Sequence, residues 1–207
     1  MPRVRVHQHV NPFAPHYRQT PEPIDLSAIF ADPKLALHLD IGCARGRFIL
    51  KMAEARPEWN FLGIEIREPL VNEANDIATE RDLPNLHYEF CNAMFWLGKL
   101  LDEVPKGVLQ MVTIQFPDPW FKKKHAKRRM VNAELVETVV AKLGPKGCIF
   151  VQTDIDFLAE EMFALFRSCK DLSEIEIKVN PFSIHTEREK AVETKHLPIY
   201  RAMFEKK

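Results

Sequence analysis

Two hydrophobic periods alternate along this chain. Apolar runs at 35–41, 60–66, 86–91, 108–116 and 148–153 read as buried strands. Between them, apolar residues recur at helical spacing. Phe48, Ile49, Met52 and Ala53 share one face of a helix expected over 47–56. Further helices are predicted over 67–81, stopped before Pro84, and over 93–102. Asn132 can cap a helix carrying Val136, Val139, Val140 and Leu143 on one face, ended by Gly144 and Pro145. Asp156 can cap another, with Leu158, Met162, Leu165, Phe166 and Cys169 in phase. Two late strands, 173–179 and 198–204, follow with no obvious helix between them.

Strands alternating with helices imply a parallel sheet covered on both faces, and the last pair implies an antiparallel end strand. Ligands of such sheets bind at the carboxyl ends of the strands, so chemistry is expected just after strands one to five. Residues 1–24 carry no apolar period and hold Pro2, Pro12, Pro15, Pro21 and Pro23. Proline blocks helix and removes a donor, so an irregular N-terminal arm is expected, followed by one domain over 25–207.

Composition narrows the class. A chain of 207 residues with 46% hydrophobic content can bury one sizeable core. Cys43, Cys91, Cys148 and Cys169 are dispersed, with no C-x-x-C pair. That spacing fits reduced thiols of a cytoplasmic protein and neither a zinc site nor a disulfide framework. No apolar run nears the ~18 residues of a membrane span. Arg3, Arg5, His7 and His9 interrupt any signal-like apolar region. His125, His185 and His196 show no metal-like spacing, and no metal is expected.

Zero net charge speaks against a uniformly basic nucleic-acid binder, but the charge is local. Residues 122–129 read Lys-Lys-Lys-His-Ala-Lys-Arg-Arg, and residues 1–21 hold Arg3, Arg5 and Arg18 without an acid. The remaining body is therefore acidic. A self-repelling run is usually a solvated loop; beside a reaction site it becomes a phosphate contact. Lys122, Lys123, Lys124, Lys127, Arg128 and Arg129 are its cations.

The first strand ends in Asp40-Ile-Gly42-Cys-Ala44-Arg-Gly46-Arg47. Gly42 permits a tight turn and close ligand approach, and Gly46 opens the next helix. A dinucleotide fingerprint counted from Gly42 needs glycines at 44 and 47, where Ala44 and Arg47 stand. Asp-x-Gly-x-Ala-x-Gly is instead similar to the S-adenosylmethionine loop of class I methyltransferases. Its usual middle glycine is Ala44 here, an exchange that costs little where φ is negative. Glu65, ending the second strand, can accept hydrogen bonds from two ribose hydroxyls. Asn92, after the third, can both donate and accept, which suits the edge of adenine. Asp40 would lie near the methionine part of the cofactor, whose amino group and sulfonium favour a carboxylate. The fourth strand ends in Gln115-Phe-Pro117-Asp118-Pro119-Trp120, where two prolines stiffen the backbone that carries Asp118. Trp120 can stack on a base or fill the core.

These motifs together resemble the bacterial tRNA (guanine-N7)-methyltransferase family. The matching elements run in order: 40–46, Gly63-Ile-Glu65, Asn92-Ala93, 116–120 with the basic run to Arg129, Thr153-Asp154, and Thr186-Glu187-Arg188-Glu189. The resemblance implies an α/β, doubly wound, Rossmann-like class I methyltransferase fold with a mostly parallel seven-stranded sheet and an antiparallel end strand. It implies S-adenosyl-L-methionine as cofactor and tRNA as partner; between monomer and homodimer the sequence does not choose. It implies that Asp40, Gly42, Gly46, Glu65, Asn92 and Asp118 hold the cofactor or its reacting end. Lys122, Asp154, Thr186, Glu187, Arg188 and Glu189 would face the target nucleotide. Asn92 stands where many relatives have Asp. Read alone, Thr186 and Glu189 form the capping box of a helix start.

Guanine N7 carries an available lone pair, so its methylation needs no base. It needs in-line positioning and a carboxylate near the charge that develops, a role expected of Asp118 as the catalytic residue. Asp118 can equally orient the guanine by its Watson–Crick edge, and Asp154 is the second candidate for that. Three rivals remain: an amino-group methyltransferase, a noncatalytic RNA-binding protein with a methyltransferase fold, and a nicotinamide-linked oxidoreductase, which Arg47 disfavours.

Overall fold

The computed structural model describes residues 10–207. Arg3, Arg5, His7 and His9 of the expected arm lie outside the described residues. Seven strands form one sheet: β1 (Ala36–Ile41), β2 (Trp59–Glu65), β3 (Leu86–Phe90), β4 (Leu109–Gln115), β5 (Cys148–Thr153), β6 (Leu172–Ile175) and β7 (Tyr200–Lys206). Their spatial order is β3-β2-β1-β4-β5-β7-β6. β1 to β5 pair in parallel, and β7 runs antiparallel to both β5 and β6. The antiparallel strand thus lies one place in from the edge. Among the described residues seven α-helices accompany the sheet: α1 (Leu26–Ile29), α2 (Arg47–Ala55), α3 (Glu68–Glu80), α4 (Ala93–Leu100), α5 (Ala133–Lys142), α6 (Asp156–Arg167) and α7 (Glu187–Thr194).

Alternation along the strands divides the core. Leu37, Leu39 and Ile41 of β1 join Leu97 of α4, Val139 of α5 and Phe166 of α6 in one apolar body. Phe61 and Tyr88 pack with Ile49 of α2 and Val71 of α3 in a second. Each such buried side chain contributes roughly 1.5–3 kcal/mol. Two residues apart on β1, His38 and Asp40 are polar yet buried, which marks this strand's second face as unusual. The sheet order reverses between β1 and β4, so their carboxyl ends open the crevice where doubly wound folds bind ligands.

Local chemistry explains the departures from the sequence pattern. Asn132 caps α5 as expected, its Oδ1 accepting from Leu135 N at 2.9 Å. Asp156 is instead the first residue of α6, after Ile155 at the cap. α1 is a single turn, capped by Asp25, too short to show a period. β6 stops at Ile175, and α7 lies between it and β7, where no helix was obvious.

The described part of the arm is docked onto the domain. A 3-10 turn spans Pro15–Arg18. Phe13 meets Phe95 edge-on at 5.3 Å, and the Arg18 guanidinium lies 5.4 Å from the same ring. Ile24 is buried, and its N–H donates to Leu100 O at 2.9 Å. All four cysteines are free. No helix among the described residues is long and apolar enough to cross a membrane.

Candidate active site

The β1–α2 loop forms a tight backbone cradle. Gly42 N and Cys43 N donate to Ile64 O of β2 at 2.8 and 3.0 Å. Gly42 takes φ +80°, and a Cβ there would meet only the Met130 side chain, at 3.7 Å or beyond. The loop therefore leaves room over Gly42. Gly46 has a different reason to be glycine. It caps α2 in the left-handed region, and a Cβ would fall 2.1 Å from the Tyr88 ring. Ala44 corrects an expectation: its φ is +52°, not negative. The methyl group costs about 1–2 kcal/mol in that region, so the turn is held against strain.

Asp40, next to last in β1, lies beside Thr113 of β4, its partner in register. Thr113 Oγ1 donates to Asp40 Oδ1 at 2.7 Å. That bond leaves Thr113 Oγ1 as acceptor for His38 Nε2, 3.0 Å away. Burial drives the His38 pKa down to about 3, so the ring is neutral and holds the hydroxyl in one direction. Burial also pushes Asp40 up to about 6, opposed by Thr113 and by the Gln115 amide, and reinforced by Glu65. A buried carboxylate that costs this much to ionise is suited to receive a cation.

Glu65 is buried at the end of β2 and fully engaged. Its Oε2 accepts from Ala44 N and Arg67 Nη2, both at 2.9 Å. Its Oε1 accepts from Arg67 N at 3.0 Å and Arg67 Nε at 2.8 Å. A carboxylate offers about four acceptor positions, so ribose hydroxyls reach Glu65 only when the guanidinium releases it. Glu65 and, at longer range, Asp118 favour the charged form of Arg67.

Asn92 is positioned differently from expectation. Its Oδ1 caps α4 through Met94 N at 3.3 Å. Its amide donates to Pro12 O at 2.9 Å and Tyr17 O at 3.1 Å. Those donors hold the arm and are not free to read adenine. A cavity of about 390 Å³ opens between the arm and the end of β3, lined in part by His16, Tyr17, Phe90 and Asn92. Asp40, Glu65 and Asp118 do not line it, so it adjoins the crevice without containing its chemistry.

The Asp118 loop is braced from behind. Phe116 and Trp120 take φ +52° and +44°, and Phe116 N donates to Gln152 O at 2.8 Å. Arg129 donates through Nε to Pro119 O at 3.0 Å and pairs with Glu161 at 2.6 Å. Its side chain is only 13% exposed. Arg129 thus departs from the expected phosphate contact, because its donors face the loop backbone. Arg128 lies over the Trp120 ring at 4.9 Å, and Lys127 over Phe13 at 5.4 Å. Lys122, Lys123 and Lys124 are exposed at the start of a 3-10 turn, Lys123–Arg128.

The late motif divides. Thr186 caps α7, its Oγ1 accepting from Glu189 N at 3.0 Å. Glu187 is exposed, with Arg47 at 3.7 Å. Arg188 pairs with Asp154 after β5, which brings two expected nucleotide-facing residues together. Glu189 is the exception: it is wholly buried and accepts from Asn180, Gln152 and Arg201. It turns inward because three donors converge there, so it faces no nucleotide. His185, Glu189 and Glu193 cluster within metal-ligand reach of one another. Arg201 already supplies a cation there, 2.8 Å from Glu189 and 3.7 Å from Glu193.

Buried acceptors at Asp40 and Glu65, room over Gly42 and a buried, unsatisfied Gln115 amide together fit a cationic nucleoside with an amino-acid end. Sequence reading missed Arg67, Gln115 and Gln152. The signal present was polar residues at buried positions near strand ends.

Known proteins resemble this chain over most of its length. A family model described as "Putative methyltransferase" matches residues 34–202. The chain is 50% identical over 210 residues to a tRNA (guanine-N(7)-)-methyltransferase of Trichormus variabilis, covering 100% of this chain and 98% of the relative. It is 51% identical to one of Synechococcus elongatus, covering 99% and 97%. Among solved structures, the 30S ribosomal A1408 methyltransferase from an uncultured bacterium superposes with a TM-score of 0.60 at 15% identity, covering 90% of this chain and 96% of that one. That likeness carries the fold alone. Full-length identity near one half, with the glycine loop and the proline-bracketed aspartate inside the matched region, places this chain in the tRNA (guanine-N(7)-)-methyltransferase family.

Proposed function

We propose that this chain transfers a methyl group from S-adenosylmethionine to N7 of a guanine in the variable loop of tRNA, forming 7-methylguanosine in the cytoplasm. The observation that carries the reading is a clustering at neighbouring strand ends: buried Asp40 and Glu65 lie at the ends of the paired strands β1 and β2, and the proline-bracketed Asp118 follows β4, the other neighbour of β1, and runs directly into exposed Lys122, Lys123 and Lys124. Asp40 would hold the cofactor's ammonium group, the room over Gly42 would take its amino-acid end, and Glu65, whose oxygens Arg67 now occupies, would hold the ribose. When bound, S-adenosylmethionine supplies an electrophilic methyl group on a sulfonium.

The protein's own contribution is placement and charge. Guanine N7 attacks through its lone pair, so no residue removes a proton. The base gains positive charge as it reacts, and Asp118 stabilises it. At ~4 Å and an effective dielectric near 20 the attraction is about 4 kcal/mol. Only the part gained between ground and transition state accelerates the step. Asp118 and the Asp154–Arg188 pair also offer acceptors and donors that orient the base. The exposed lysines grip the tRNA backbone. The described arm segment docks on the 25–207 domain and closes the side of the crevice at Asn92.

The test is incubation of tRNA with methyl-labelled S-adenosylmethionine, then aniline cleavage at 7-methylguanosine. Label in that nucleoside and cleavage in the variable loop are expected. Label in an amino-methylated base, or none, refutes the assignment.

A further inference from the structure

The buried Gln115 amide beside Asp40 is held in a fixed orientation. Gln115 ends β4 and stands opposite Gln152 of β5, which in turn stands opposite Arg201 of β7. The three side chains form a cross-strand row. At its far end are two groups whose hydrogen-bond polarity cannot reverse: a guanidinium only donates, and a carboxylate only accepts. Arg201 Nε donates to Gln152 Oε1 at 3.1 Å. Gln152 Nε2 donates to Glu189 Oε2 at 3.0 Å. These two bonds fix the Gln152 amide one way round. Its Nε2 also donates to Gln115 Oε1 at 2.8 Å.

The direction is therefore transmitted. With its oxygen end occupied, Gln115 must turn Nε2 away from Gln152. A reversed Gln115 would set two amide NH2 groups against each other. Gln115 Nε2 is buried and has no hydrogen-bond partner among the described residues. Its nearest acceptor is the Asp40 carboxylate, whose ionised form it favours as a hydrogen-bond donor, but at a geometry looser than a formed bond, and an amide nitrogen has a second hydrogen to give. Buried donors without acceptors are rare in folded proteins because they are costly. This one is held in place by a row of side chains that ends on an ion pair.

An acceptor for a cation beside a donor for an anion is the recognition element of an amino-acid zwitterion. We propose that Gln115 Nε2 donates to the carboxylate at the amino-acid end of S-adenosylmethionine, and that Gln152 and Glu189 are positioning residues that aim it. The inference rests on the reading that Asp40 receives the ammonium group. It gives Glu189 a task inside the protein in place of contact with the nucleotide.

The probe is decarboxylated S-adenosylmethionine, which lacks only that carboxylate. Calorimetric titration of the full chain with both ligands gives the ratio of their affinities. In Gln115→Leu, S-adenosylmethionine is expected to bind roughly 10–100-fold more weakly, as for a hydrogen bond to a charged group. The decarboxylated ligand, which keeps the ammonium group that Asp40 receives, is expected to weaken much less, by no more than the support Gln115 gives the ionised Asp40. Gln152→Leu, which frees Gln115 to turn, should shift the ratio the same way. Thermal melting confirms that each variant is folded. Equal weakening of both ligands, or no change in Gln115→Leu, overturns the proposal. If the unsubstituted protein binds neither ligand, the assignment of the Asp40 site itself falls. If it binds both and the ratio is insensitive to Gln115, only the present inference does.

Discussion

Replacing Asp40 by Asn isolates the cost of keeping a carboxylate buried beside Thr113. Asn retains the Thr113 hydrogen bond through its Oδ1 and removes the charge. Burial raises the Asp40 pKa from an ordinary 3.8 to about 6. The folded state therefore binds a proton more tightly than the unfolded state between those values, and stability falls as pH rises through the interval. Above about pH 6 the full penalty applies. A shift of about two units corresponds to about 3 kcal/mol. For a chain of 207 residues that raises the melting temperature by on the order of 10 °C. At pH 5 the folded carboxyl is mostly protonated and the advantage of Asn drops to about half. The assay is thermal unfolding of Asp40→Asn and the parent chain without cofactor, at pH 7.5 and pH 5, with calorimetric titration of S-adenosylmethionine at pH 7.5. The variant should melt higher, by more at pH 7.5, and bind the cofactor at least tenfold more weakly. A variant that melts no higher at pH 7.5, or whose advantage does not depend on pH, refutes the reasoning.

Other positions give independent checks. Ala44→Gly relieves the left-handed strain and returns part of it as unfolded-state entropy, for a net gain of up to about 1 kcal/mol; chemical denaturation that shows a loss would mean the methyl group packs favourably. Arg129→Ala removes the brace behind Pro119, so kcat should fall on the order of a hundredfold with tRNA affinity little changed; a fall in affinity and salt slope instead would return Arg129 to the phosphate contacts. Neutralising Lys122, Lys123 and Lys124 to Gln should lower the slope of log affinity against log salt by roughly 2–3, since each phosphate contact contributes about 0.7–0.9; an unchanged slope removes them from the tRNA surface.

The sheet was legible because its strands are short apolar runs bounded by turn residues, and β5 matches its expected span of 148–153. What stayed hidden depends on partners distant in sequence. Asn92 looks like a reader of bases until Pro12 and Tyr17 arrive from 80 and 75 residues away. Glu189 looks like a surface cap until Arg201 and Gln152 meet it. Arg129 sits in a run of cations and is distinguished only by the Pro119 carbonyl it faces. Periodicity reports which face of an element is buried. It does not report which polar group waits on the other side, and for this reason the loop positions of Asp40, Gly42 and Asp118 were readable while the Gln115–Gln152–Arg201 row was not.

The docked arm has a consequence for local opening. The Asn92 side chain ends the arm's two carbonyls and caps α4 with the same amide group. Undocking the arm therefore removes the two hydrogen bonds that hold the capping side chain in its orientation, and the first turn of α4 is expected to fray more readily. The exchange rate of the Met94 amide proton is expected to rise when the arm is released. A chain cut after residue 24 would expose the start of α4 to solvent hydrogen exchange at every temperature, even with the rest of the sheet intact.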